Sequence, residues 1–103
     1  MRKPLPIIEL PLYWDESNLT HAQGHGVSRD EIEQVVHNKP EVQQARRRGE
    51  AVLDHYLLVG ATDAGRRVTV VVLYPVTLQR DWGPYELEMA RPITAYDTPR
   101  RGS

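Results

Sequence analysis

Hydrophobic and polar positions change period along this chain, dividing it into a helical first half and an extended second half. Val27, Ile32, Val35 and Val36 recur at helical spacing. Ser28-Arg29-Asp30-Glu31 in front of them is a capping box, with Ser28 at the N-cap and Glu31 reaching back to its amide. Val27 before the cap can pack on Ile32 as a hydrophobic staple. The helix is predicted to stop at Asn38, because Pro40 disfavours helical geometry in Lys39. A weaker helix is predicted over 16–24, capped by Asp15 or Ser17, with Leu19 and Ala22 as its apolar positions. It ends near His25-Gly26, where glycine can take the left-handed conformation.

Beyond Pro40 the period moves towards two. Residues 41–46 fit a helix or a strand, with the balance towards a strand, and Arg47-Arg48-Gly49-Glu50 would turn it back. Leu53 to Ala61 reads as a strand. Thr62-Asp63-Ala64-Gly65 has the chemistry of a hairpin turn, with Gly65 at a position needing positive φ. Val68 to Tyr74 is dense in β-branched residues and apolar on both faces, which marks a central strand that Pro75 ends. Residues 75–84, containing Trp82-Gly83-Pro84, are predicted as a longer loop. Tyr85 to Ala95 is the last strand, alternating Tyr85, Leu87 and Met89 against Glu86 and Glu88. Pro92 inside it requires an edge position or a bulge. Leu12-Tyr13-Trp14 is a short strand candidate, and residues 1–11 are Pro-rich and extended.

The sum is an α+β fold: two N-terminal helices on one face of a three- to four-stranded antiparallel sheet, the other face left free. Residues 12–98 form one domain, between an extended segment (1–11) and a flexible tail (99–103). The length of 103 residues agrees with a single domain. No cysteine is present, which fits a reducing compartment. Two prolines break the short apolar run near the N-terminus, so neither a signal peptide nor a membrane span is expected and the location is read as cytoplasmic.

Charge narrows the partners. With 13 basic and 14 acidic residues the net charge is −1, which argues against wholesale coating of nucleic acid. It leaves room for a local basic site, because Arg46-Arg47-Arg48, Arg66-Arg67 and Arg100-Arg101 are clustered.

The order of motifs resembles a known family. Trp14-Asp15-Glu16-x-Asn18-x-x-His21-x-x-x-His25-Gly26-Val27 looks like the opening signature of BrnT-type toxins. Tyr56-x-x-Val59-Gly60 with Gly65-Arg66-x-x-Thr69-Val70-Val71 resembles that family's central hairpin, and Arg91-Pro92-Ile93-Thr94-Ala95 its final strand. The likeness covers about residues 12–98. It implies a fold like that of RelE ribonucleases, metal-free RNA cleavage, and neutralisation by a small bacterial DNA-binding antitoxin of ribbon-helix-helix type. Family members usually continue with Ala-Arg, a basic helix and a Tyr. The corresponding stretch here is Ala95-Tyr96-Asp97-Thr98-Pro99, or Ala90-Arg91-Pro92 in an alternative register.

Metal-free cleavage requires a base for the 2′-OH, a cation for the phosphorane and an acid for the leaving 5′ oxygen. The cation role suits arginine, whose fork matches phosphate oxygens. Arg66 and Arg91 are the phosphate candidates. Tyr96, His55 and Tyr56 are the proton-transfer candidates, and Arg46, Arg47, Arg48 and Arg67 are the candidate RNA contacts. Each has a plainer reading. Arg66 follows a turn, where a solvated arginine is ordinary; Arg91 can pair with an acid; Tyr96 can simply pack. His55 and Tyr56 face opposite ways on a regular strand, so at most one serves a site. Arg46–Arg48 reads first as a solvated loop run, with contact to RNA or an acidic partner surface as the lesser reading. His21 and His25 have the spacing of two ligands on one helix face but lack a zincin glutamate, so no metal and no cofactor is expected. Trp14 reads as core.

Two functions follow. One is the toxin of a type II toxin–antitoxin pair, a metal-free endoribonuclease. The other is a catalytically silent module on the same scaffold, docking a small DNA-binding partner through its free sheet face or edge strand. A homodimer is left open, and no membrane partner is expected.

Overall fold

The computed structural model describes residues 5–79 and 86–99. Two short helices precede a meander of four antiparallel strands: α1 (Glu16–Ala22), a single 3₁₀ turn (Gln23–His25), α2 (Arg29–His37), β1 (Glu41–Arg47), β2 (Glu50–Ala61), β3 (Arg67–Gln79) and β4 (Glu86–Asp97). The strands lie side by side in chain order. The α+β arrangement expected from the periodicity is present, with four strands.

Both helix starts follow from side chains that replace missing backbone partners. On α1, Asp15 accepts from the Asn18 amide at 2.9 Å while the Asn18 Oδ1 accepts from the Asp15 amide at 2.7 Å. On α2, Ser28 and Glu31 make the reciprocal pair, each at 3.1 Å. Val27 and Ile32 are fully buried on either side of that cap. Helix α2 ends with Asn38 as its C-cap, and Lys39 takes φ 53°.

The core lies between α2 and one face of the sheet. Ile32, Val35 and Val36 meet Leu58, Val68, Val70, Val72 and Ala95, joined by Ile8, Leu12 and Val27. Trp14 packs against this cluster while remaining partly exposed. Its indole N–H donates to Glu33 at 3.1 Å, and the Arg29 guanidinium lies 5.2 Å from its ring centre. Gly60 marks the closest approach: a Cβ there would stand 3.1 Å from Pro40 Cβ and 3.3 Å from Val35 Cγ1.

Several expectations need correction. Leu12-Tyr13-Trp14 is not a strand; it runs beside β4, where the Tyr13 amide donates to the Ala90 carbonyl at 2.8 Å. Helix α1 stops at Ala22, and residues 23–25 tighten into the 3₁₀ turn before Gly26 at φ +79°. Pro75 does not end the central strand. β3 continues to Gln79, because a register shift between Leu73 and Val76 accommodates the missing amide. The predicted 75–84 loop is therefore strand as far as residue 79; Trp82-Gly83-Pro84 and Tyr85 lie outside the described residues. Pro92 meets both of its conditions, lying on an edge strand beside a second register shift.

Beyond the row His55–Leu73–Arg91 the sheet divides. β2 and β3 pair only from His55–Leu73 to Ala61–Arg67, while β1–β2 and β3–β4 each continue as separate two-stranded arms.

Candidate functional site

The tight turn at Thr62–Gly65 aims Arg66. Gly65 takes φ +87°, the Thr62 amide donates to the Arg66 carbonyl at 2.9 Å, and the Arg66 amide donates to the Thr62 hydroxyl at 3.1 Å. The Arg66 guanidinium then grips Asp97 through both carboxylate oxygens, at 2.7 and 3.2 Å. Its Nη1 donates to Glu31 at 3.0 Å and to the Gly26 carbonyl at 3.1 Å. This fork is committed to protein acceptors. Asp97 and Glu31 together raise the Arg66 pKa further above its ordinary value. Arg66 in turn holds Asp97 below the usual carboxylate range. Glu31 is also held low, first by the Ser28 amide and then by Arg66.

Arg91 is held more loosely. Its Nη2 lies 3.3 and 3.4 Å from the two Asp15 oxygens, and its side chain is partly exposed. Asp15 already accepts the Asn18 amide, which together with Arg91 lowers its pKa. His55 stands in the same row of the sheet, two strands away across Leu73, a separation of about 10 Å between backbones. Its Nδ1 lies 2.8 Å from the Leu53 carbonyl. A carbonyl only accepts, so Nδ1 is the donor of this pair, and in the neutral imidazole Nε2 is then the acceptor.

Tyr96 belongs to a different row, opposite Thr69, which is itself opposite Val59. Leu73 lies four residue steps along β3 from Thr69, or roughly 14 Å along the strand. The four residues predicted for catalysis therefore fall into two pairs: Arg66 with Tyr96 at one end of the sheet, His55 with Arg91 towards the other. Tyr56 turns to the opposite face and packs against the core. The exposed Arg46, Arg47 and Arg48 stand at the tip of the β1–β2 arm, beyond His55, with Arg46 donating to the Gly49 carbonyl at 3.1 Å. Arg67 is exposed at the far end, paired with Ala61. His21 and His25 are both exposed, and among the described residues no three His, Cys, Asp or Glu side chains gather as a metal site.

Three features escaped the sequence reading. The first is a wide bulge in β2. Between the pairs Gln44–Tyr56 and Arg46–Ala51, β1 spends one residue where β2 spends Val52 to His55. The Gln44 amide fills the gap, donating to the Val52 carbonyl at 2.8 Å and to the His55 carbonyl at 2.9 Å. Asp54 takes φ 62° there and Leu53 is 82% exposed. Asp54-His55 interrupting an apolar run was the available signal. The second feature is Asn18, 2% exposed, whose amide donates to the Tyr13 carbonyl at 2.8 Å and the Pro92 carbonyl at 3.0 Å. The third is a groove of about 440 Å³ whose lining includes Ile7, Ile8, Leu10, Val36, Lys39 and Pro40 and none of the predicted site residues.

Strand alternation places Leu57, Val59, Val71 and Leu73 on the face turned away from α2, and all four are only partly covered. No helix of the described residues is long and apolar enough to cross a membrane. Compared with protein-family models, with curated proteins and with solved structures, the chain matches none.

Proposed function

We propose that this chain is a BrnT-like scaffold protein that works by docking a small DNA-binding partner, in the manner of a type II toxin held by a ribbon-helix-helix antitoxin in the bacterial cytoplasm. The observation that carries this reading is the aliphatic stripe Leu57, Val59, Val71 and Leu73, partly exposed on the helix-free face of the sheet. A surface of that kind favours an apolar partner surface over a phosphate backbone. The arginines support the same reading. Arg66 spends its fork on Asp97 and Glu31, and Arg91 faces Asp15. Neither is free to meet a phosphorane without first giving up a carboxylate.

A second reading keeps RNA as the ligand, and a specific geometry favours it. His55, with Nε2 able to accept a proton, shares a row with the loosely held Arg91. Arg46–Arg48 extends from the same end of the sheet. In that reading His55 is the base, Arg91 turns from Asp15 to the phosphate, and Arg66 and Tyr96 are structural.

One experiment separates the two. Purified wild type and Arg91→Ala are incubated with a structured RNA in EDTA, each checked for folding by circular dichroism. The docking reading expects no cleavage above background from folded wild type. Cleavage that survives EDTA and falls at least ~100-fold in Arg91→Ala, about 2.7 kcal/mol of transition-state stabilisation, replaces it with the ribonuclease reading.

A further inference from the structure

The sheet has two edges, and among the described residues only one is covered. Along β4 the Ala90 carbonyl accepts from the Tyr13 amide and the Pro92 carbonyl accepts from Asn18. Pro92 has no N–H to offer, α1 packs along the strand, and a register shift breaks its line. These devices blunt a sheet edge against other chains. β1 carries none of them among the described residues. Among the described residues it pairs with β2 alone. It contains no proline, and the surplus residues of the β1–β2 irregularity belong to β2, so β1 itself presents seven residues of uninterrupted edge.

The chemistry of that edge is self-complementary. It reads Glu41-Val42-Gln43-Gln44-Ala45-Arg46-Arg47, with an acid at one end and two bases at the other. Laid antiparallel on itself with Gln44 opposite Gln44, it sets Glu41 opposite Arg47 twice and Gln43 opposite Ala45 twice. Val42 then lies beside the methylenes of Arg46. Glu41, Gln43, Arg46 and Arg47 are all exposed in the single chain. A parallel arrangement would instead set each arginine against its own copy, and like charges directly opposite are destabilising.

We propose that β1 is a dimerisation edge: it pairs with β1 of a second copy about a two-fold axis at Gln44, joining two sheets into one. This goes beyond partner docking on the aliphatic face, which the edge leaves untouched. A contact made by one strand pair lies below the ~1,200 Å² of a standard interface, so the association is weak and concentration-dependent.

Charge exchange tests both the register and the symmetry. Wild type, Glu41→Arg, Arg47→Glu and the double variant are followed by sedimentation velocity from micromolar to millimolar concentration. Circular dichroism melts check that each keeps its fold. Wild type is expected to dimerise reversibly. Each single variant opposes like charges twice and loses roughly tenfold or more in affinity, ~1.4 kcal/mol, while the double variant restores it. Mixing the two single variants produces a heterodimer, because both ends of the strand in the Glu41→Arg chain are then basic and both ends in the Arg47→Glu chain acidic. Wild type that stays monomeric leaves the edge to a strand of some other protein and overturns the proposal. So does a dimer indifferent to the exchanges, or a mixture no more associated than its components.

Discussion

Asn18 shows how one polar side chain can decide local geometry. It is almost fully buried, yet its amide oxygen caps the Asp15 N–H while its amide nitrogen serves two carbonyls, one from the approach to α1 and one from β4. Each atom has partners, so the burial is tolerated. Truncation removes all of these at once and leaves buried carbonyls without donors. Asn18→Ala is expected to lose about 2–4 kcal/mol of unfolding free energy in urea melts. A loss under about 1 kcal/mol would show that water takes over the vacated positions. The side chain was legible as part of the Trp14-Asp15-Glu16-x-Asn18 pattern, but its role was not. Its second carbonyl partner is 74 residues away, at Pro92, and no local rule points there.

At the scale of elements, the devices that depend on near neighbours could be read from the chain. The Ser28–Glu31 box, the Val27–Ile32 staple and the Gly65 turn involve residues close in sequence, and the requirement on Pro92 follows from its own missing amide. The failures occur where tertiary pairing outweighs local preference. Pro75 ends a strand by propensity, yet β3 runs through it with an irregularity, spending Tyr74 and Pro75 where β4 spends Ala90 alone. The β2 bulge is set by Gln44 across the hairpin. Gly60 belongs to the same class, since only the packed structure reveals that Pro40 and Val35 crowd it. Adding a branched side chain there forces α2 away from the sheet. Gly60→Val should cost about 1–3 kcal/mol, the usual penalty of overpacking. Paired urea melts with an unchanged m-value would establish that stability, and not compactness, has changed.

For the whole molecule, Arg66 acts as a clamp that no single element contains. It joins the start of α2 through Glu31, the turn ahead of it through the Gly26 carbonyl, and the end of β4 through Asp97. The sequence singled out Arg66 for its chemistry and not for this connection, because Asp97 lies 31 residues away. The clamp makes stability depend on acid in a direction that can be worked out. Both carboxylates have folded pKa values below their ordinary 4.5 and 3.8. Their contribution is complete above those ordinary values and is lost as pH falls through the lowered folded ones. Arg66→Ala should therefore melt at a lower temperature than wild type at neutral pH. The gap should narrow as the pH is taken below 3.8, where wild type protonates the acids that the variant has already lost as partners. Arg66→Lys should recover only part of the neutral-pH difference, since one ammonium cannot bind two carboxylates as a planar fork does. Thermal melts of all three proteins across that pH range test the clamp directly. A gap that stays constant in acid would mean that Arg66 stabilises the fold through its bond to the Gly26 carbonyl and the packing of its methylenes, with the ion pairs contributing nothing.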